Sequence, residues 1–96
     1  MMENREYLNS LFDIYKELLT KKEQEAFSEH FIEDLSMQEI ADNQNVSKSN
    51  IGMTVKRAEQ KLKEYESKLH ILEKNNKIKE ALLNKDYKKI EKIMDI

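Results

Sequence analysis

The chain carries one glycine, Gly52, and no proline along its 96 residues. Glycine and proline usually mark the turns between short strands, so their scarcity argues against β-hairpins and β-sheets. Apolar residues recur instead at intervals of three and four, which is the period of an α-helix. The sequence therefore predicts an all-α fold, and its length predicts a single helical domain over residues 1–96.

Residues 35–55 have the pattern of two short helices joined by a tight turn. Ser36 stands three residues before Glu39, which is the spacing of a capping box at the start of a helix. Asn45 is suited to the left-handed conformation that such a turn requires, and Ser47 can cap the helix that follows. The segment is therefore predicted to form a helix-turn-helix.

The second helix of this unit is predicted to have a buried face and an outward face. The Val46 side chain is expected to pack into the core and so to anchor the turn. Ile51 and Val55 lie one turn apart on the buried side. A helix pair of this kind is either a purely structural packing unit or a unit whose second helix enters a nucleic-acid groove. The spacing of the caps and the turn favours the second alternative.

Apolar spacing predicts helices on both sides of the helix-turn-helix. The first helix spans about residues 3–18. The second begins at Thr20, closes a capping box with Glu23 and ends near Asp34. Together with the helix-turn-helix they form a predicted bundle over residues 1–66.

A helical extension over residues 67–96 is predicted to follow the bundle. The heptad pattern runs without a breaker from residue 47 to residue 74, so the fourth helix is long and its outer part needs a covering helix. Two short amphipathic helices, over residues 77–83 and 86–94, either fold back on it or join a dimer. We predict a homodimer whose interface contains Leu62, Tyr65, Leu69 and Leu72.

Charge is unevenly distributed along the chain, although the net charge is only −2. Residues 20–46 carry seven acidic and two basic side chains, whereas residues 47–63 carry five basic side chains against Glu59 alone. The positive segment coincides with the second helix of the helix-turn-helix. It forms either a solvated face or a surface that meets phosphates.

We predict nucleic-acid contacts on the outward face of this helix. Lys56, Arg57 and Lys63 are placed to meet phosphates there. Few side chains on this face are suited to reading base edges, so sequence-specific recognition is not expected. The predicted nucleic-acid-binding residues are Lys48, Ser49, Asn50, Lys56, Arg57, Gln60 and Lys63.

The sequence favours no enzymatic function. It contains no cysteine, which removes disulfides and thiolate zinc sites, and His30 and His70 are solitary. No nucleophile or phosphate loop accompanies the regularly spaced carboxylates, so we predict no catalytic residues, no metal and no cofactor. No apolar run has the length of a membrane span and the N-terminus lacks a signal-peptide pattern, which predicts a cytoplasmic protein.

Short motifs over about residues 19–63 resemble the region-four helix-turn-helix of bacterial sigma factors. They are Leu19-Thr20 with Glu23, Glu25 and Phe27, then Leu35-Ser36 with Glu39-Ile40-Ala41, then Val46-Ser47-Lys48, and finally Lys56-Arg57-Ala58 with Lys61-Leu62. The resemblance implies a sigma-region-four-like bundle with a long fourth helix and short C-terminal helices.

Two flanking motifs extend the resemblance to nearly the whole chain, and they are similar to the YlxM family of small proteins. They are Leu11-Phe12-Asp13 with Tyr15, and Glu64-Tyr65-Glu66 with Lys68-Leu69-His70. This resemblance implies a protein encoded beside the protein subunit and receptor of the bacterial signal recognition particle. It implies an accessory or regulator of that pathway, with DNA, the particle's RNA, its protein subunit or its receptor as partner.

One departure separates this chain from the sigma pattern. A sigma-like recognition helix usually places an Arg and a Gln just after its first turn, where this chain has Gly52 and Met53. Gly52 either lets another backbone approach closely or reflects relaxed selection at a surface position. The departure favours an alternative function, in which the protein is an adaptor that docks on a signal recognition particle component without sequence-specific DNA binding.

Overall fold

The computed structural model describes residues 2–85 and 87–94, and within them the chain forms six α-helices and no β-strand. A 3-10 turn over Lys16–Leu18 follows the first helix, and a π-helical turn over Ser28–Ile32 continues the second. The all-α prediction is confirmed. The helices are α1 Met2–Tyr15, α2 Lys21–Phe27, α3 Met37–Gln44, α4 Lys48–Leu69, α5 Ile71–Leu83 and α6 Tyr87–Met94.

The predicted helix starts are confirmed by their hydrogen bonds. Glu23 N donates to Thr20 Oγ1 at 3.2 Å, and Thr20 N donates to Glu23 Oε1 at 2.8 Å, which completes the capping box of α2. Ser36 and Glu39 form the same pair of bonds at the start of α3, both at 3.1 Å. These caps fix where the chain enters the two helices that precede α4.

Two apolar clusters form the core, and α4 contributes to both. Phe12 and Phe27 stack in the first cluster with ring centroids 4.6 Å apart. Because α4 supplies buried side chains to each cluster, its position is fixed from α1 and α2 on one side and from α3 on the other. The first cluster contains Leu8, Leu11, Phe12, Tyr15, Leu19, Phe27, Ala58 and Leu62, and the second Ala26, Ile40, Ala41, Ile51 and Val55.

The turn of the helix-turn-helix differs from its prediction at one residue. Asn45 adopts the predicted left-handed conformation, with φ 59° and ψ 42°. Val46 N donates to Ala41 O at 3.0 Å, as in a Schellman motif, but the Val46 side chain is 40% exposed. The prediction that Val46 packs into the core is wrong: the core cluster at this unit is formed by Ile40 of α3 and Ile51 of α4 with their neighbours, and does not include Val46.

The long heptad helix is interrupted, which corrects the predicted uninterrupted run from residue 47 to residue 74. Helix α4 ends at Leu69, His70 is left-handed with φ 54°, and α5 begins at Ile71 rather than at residue 77. The break is stabilised by two side chains, because Tyr15 of α1 and Glu66 of α4 accept hydrogen bonds from the first amides of α5.

Helices α5 and α6, here called the C-terminal arm, pack against each other and extend from the bundle. Leu72 packs against the first core cluster, whereas Leu82 and Leu83 are exposed. The Asn84 division between the two helices is confirmed; Asp86, at the predicted start of the last helix, lies outside the described residues. Over the described ranges, no helix is both long and apolar enough to cross a membrane.

Candidate nucleic-acid interface

The first turn of α4 is positioned by the turn that precedes it. Ser47 Oγ accepts a hydrogen bond from Asn50 N at 3.0 Å, which confirms the predicted cap. Upstream, Asn45 N donates to Asp42 O at 3.3 Å and closes the end of α3. Bonds at both ends of the turn therefore set the angle at which α4 leaves α3.

Helix α4 separates a buried stripe from an outward face, as predicted. Ile51, Val55 and Ala58 are at most 1% exposed, so this stripe belongs to the core. All seven predicted nucleic-acid-binding side chains are exposed, which brings them together on the solvent side of one helix. They are Lys48, Ser49, Asn50, Lys56, Arg57, Gln60 and Lys63.

Four cations on the outward face have no acidic partner. Within residues 2–85 and 87–94, Lys48, Lys56, Arg57 and Lys63 form no ion pair. Their charges therefore face solvent uncompensated at short range, which is the arrangement that attracts phosphates.

Lys61, the fifth cation of the positive segment, has a structural role. Its Nζ lies 2.9 Å from the carboxylate of Glu23, which is only 1% exposed. Burial opposes ionisation of Glu23, but hydrogen bonds from Thr20 and Lys61 outweigh it and hold the pKa of the carboxyl below its ordinary value. This pair could not be predicted from local patterns, because the two residues are 38 positions apart. The pair ties α4 to the start of α2.

The two residues that depart from the sigma pattern lie on different parts of α4. Met53 is 62% exposed and presents an apolar side chain among the cations. A Cβ on Gly52 would meet only Met37 Sδ, at 3.6 Å, which is an ordinary van der Waals contact. No neighbouring backbone approaches Gly52, so the close-approach explanation of this glycine is wrong.

The four residues predicted at a dimer interface do not form one exposed seam. Leu62 is fully buried in the first core cluster, so its side chain does not reach the surface. Tyr65 and Leu72 are half-buried against the same cluster, and Tyr65 Oη donates to Leu18 O at 3.1 Å. Leu69 alone of the four is exposed, at 46%.

The histidines have local partners. His30 Nδ1 lies 3.0 Å from Leu35 O, and His70 Nδ1 lies 3.1 Å from Glu73 Oε2. In the part of the chain that the structure describes, no group of three His, Cys, Asp or Glu side chains could hold a metal ion.

Comparison with known proteins gives consistent matches. The profile of a family described as "Putative helix-turn-helix protein, YlxM / p13 like" matches residues 2–96. A UPF0122 protein of Shouchella clausii is 42% identical over 74 residues, which cover 77% of this chain and 68% of the relative. UPF0122 proteins of Bacillus thuringiensis and Bacillus mycoides are also 42% identical, over 77% of this chain and 67% of each relative.

Proposed function

Because the chain belongs to the family of YlxM / p13-like helix-turn-helix proteins, we propose that it is a regulatory protein that binds nucleic acid through the outward face of α4. The observation that carries the proposal is the set of four exposed cations on that face, which form no ion pair within the residues that the structure describes. Their ammonium and guanidinium groups can neutralise phosphates along a nucleic-acid backbone.

The proposed binding depends on phosphate contacts rather than on base reading. Ser49, Asn50 and Gln60 are the exposed polar side chains available for base edges. Each bidentate contact to a base edge contributes about 1 to 3 kcal/mol of discrimination between bases, and three polar side chains supply few such contacts. We therefore expect weak dependence of affinity on nucleic-acid sequence.

The resemblance to YlxM proteins extends the proposal to a pathway. We propose that the protein acts in the cytoplasm as an accessory or regulator of the signal recognition particle, with duplex DNA or the particle's RNA as the bound nucleic acid. Both ligands present the phosphates that the α4 cations would contact.

The dependence of affinity on salt tests the proposal directly. If one protomer makes four phosphate contacts, log affinity should fall with log salt at a slope of about −3.6, and about twice that for two protomers. Fluorescence anisotropy with labelled duplex DNA and with signal recognition particle RNA measures this slope between low and physiological salt.

Single variants assign the contacts. Lys56→Ala and Arg57→Ala should each reduce the slope by about 0.9, because each removes one phosphate contact. Lys79→Ala is the matched control, since Lys79 is an exposed lysine of the C-terminal arm and its loss should leave the slope unchanged. No measurable binding to either ligand at low salt would overturn the proposal.

A second candidate function is a protein adaptor that docks on a signal recognition particle component. The exposed Met53 side chain and the excess of acidic residues over residues 20–46 favour it, because neither feature helps to bind phosphates. A pull-down with the particle's protein subunit and its receptor distinguishes the candidates. Recovery of either protein without nucleic-acid binding would favour the adaptor, whereas binding of nucleic acid alone would favour the first proposal.

A further inference from the structure

The joint between α4 and α5 is a sharp corner at one residue, His70. Its φ of 54° lies in the left-handed region, which residues other than glycine rarely adopt. Neither glycine nor proline occurs after Gly52, and the apolar spacing of α4 continues through the joint. The apolar spacing therefore favours a continuous helix, and side-chain hydrogen bonds at the joint stabilise the corner instead.

Three hydrogen bonds from two side chains hold the corner. Tyr15 Oη accepts from Ile71 N at 3.2 Å, and the Glu66 carboxylate accepts from Leu72 N and Glu73 N, both at 3.0 Å. These amides at the start of α5 have no acceptor inside that helix. Tyr15 Oη also donates to Glu66 Oε1 at 2.6 Å, so the two side chains act as one unit, which we call the Tyr15–Glu66 lock.

We propose that this joint is a two-state hinge, at which α4 and α5 exchange the bent form for one continuous helix over residues 48–83. In a continuous helix, the three amides bound by the lock would donate instead to the backbone carbonyls of Ser67, Lys68 and Leu69. The number of hydrogen bonds is the same in both forms, and one residue changes its backbone conformation.

The bonds on either side of the hinge are already those of a continuous helix. His70 N donates to Glu66 O at 2.9 Å, and Lys74 N donates to His70 O at 3.0 Å. Both bonds span four residues, so both persist when the joint straightens. The exchange therefore disrupts no helical hydrogen bond of α4 or α5.

Apart from the lock, the arm contacts the bundle mainly where α5 meets α1. Among the described apolar side chains of α5, Leu72 is the one that packs against a core cluster. An open cleft of about 450 Å³ lies at the corner, between Tyr7 of α1, Lys63 of α4 and Asn76 of α5. Straightening would place Tyr65, Leu69 and Leu72 on one helical stripe, at spacings of four and three.

A distance measurement between two spin labels tests the hinge. The chain has no cysteine, so Met53→Cys and Lys79→Cys provide the only labelling sites, and both side chains are exposed. In a continuous helix the 26-residue separation corresponds to about 39 Å, and the bent form gives a shorter distance. Pulsed electron spin resonance on the full chain, with the doubly labelled protein diluted into excess unlabelled protein so that distances within one chain dominate, should show a main short distance and a minor one near 39 Å.

Two substitutions at His70 form a matched pair, because each removes the same imidazole from an exposed position. His70→Ala should increase the ratio of long to short distance by about tenfold, since alanine disfavours the left-handed region and favours a helix. His70→Gly should lower the ratio, since glycine adopts positive φ readily. The lock variants Tyr15→Phe and Glu66→Gln should raise the ratio of long to short distance, as His70→Ala does.

An identical single short distance in all four variants would show a rigid corner and overturn the proposal. If a lock variant loses its helical circular dichroism, the hinge is tested with the two His70 variants alone, because they remove no core side chain. Equal ratios of long to short distance in His70→Ala and His70→Gly would also overturn the proposal.

Discussion

Glu66 is a carboxylate that stays ionised in a buried place. It is 8% exposed and accepts hydrogen bonds from Tyr15, Leu72 and Glu73. Burial raises the pKa of a carboxyl, but these three donors outweigh that effect and hold the pKa of Glu66 below its ordinary value. For Tyr15, burial and the hydrogen bond to Glu66 both favour the neutral phenol, and they raise its pKa to about 12.

The raised pKa of Tyr15 predicts a loss of stability at alkaline pH. The unfolded chain releases the phenolic proton near pH 10.0 and the folded chain near 12, so the stabilisation is complete below pH 10 and is lost as pH rises to 12. A shift of this size corresponds to about 2 to 3 kcal/mol, at about 1.4 kcal/mol for each pH unit. Denaturant unfolding of the native protein and of Tyr15→Phe between pH 9 and pH 12 measures the loss, which the variant should lack.

Tyr87→Phe is the control for this titration, because the Tyr87 ring is 63% exposed. Its stability should follow that of the native protein across the same range. Parallel curves for the native protein and Tyr15→Phe would contradict the assigned role of the Tyr15 hydroxyl.

The starts of the helices could be predicted from the sequence because a helix cap is a local structure. Thr20 with Glu23 and Ser36 with Glu39 satisfy amides within three residues of one another. The outward face of α4 could be predicted for the same reason, since the position of a residue on a helix depends only on its spacing from the buried stripe. The seven residues predicted on that face are therefore all exposed, as expected from their spacing.

Features that depend on distant residues could not be predicted. The corner at His70 is held by Tyr15, which lies 56 positions before Ile71 in the chain. Lys61 belongs to the positive segment of the sequence, but its partner Glu23, 38 positions away, gives it a structural role. In both cases a contact with a distant residue changes what the local pattern predicts.

Gly52 lowers the stability of α4, because it lies in the interior of the helix. Gly52→Ala should stabilise the protein by about 1 kcal/mol, because glycine disfavours a helix interior and the added Cβ fits beside Met37. For a domain of this size the gain corresponds to a rise in melting temperature of about 4 to 8 °C, measurable by thermal denaturation. The salt slope of nucleic-acid binding should not change, since no charge is altered.

Gly52→Val is the matched variant for this prediction. Valine restricts the helix more than alanine does, and its additional methyl groups crowd Met37, so its gain should be smaller. A lower melting temperature for Gly52→Ala would contradict the open space observed around this position.

At the scale of the whole molecule, the C-terminal arm carries several exposed apolar side chains. Leu83 is 84% exposed, Met94 65% and Leu82 52%, whereas the large side chains of the core are fully buried. The arm thus carries apolar surface of the kind that marks sites of association. The uneven charge of residues 20–63 adds a second asymmetry, so one molecule presents an acidic segment, a basic helix face and an apolar arm.

The apolar surface supports the prediction of a homodimer, with Leu69 as its test residue. We expect the native protein to have the mass of a dimer by light scattering at micromolar concentrations. Leu69→Asp should raise the dissociation constant by at least about 100-fold, because an unpaired carboxylate at an interface costs about 3 kcal/mol or more. Leu69 is 46% exposed in the single chain, so the substitution should leave the fold intact.

An apolar residue of similar exposure separates this effect from a general loss of apolar surface. Ile32 is 51% exposed at the end of the π-helical turn, and Ile32→Asp should leave the dimer unchanged. A monomeric native protein, unaffected by Leu69→Asp, would instead show that the arm completes the fold within one chain.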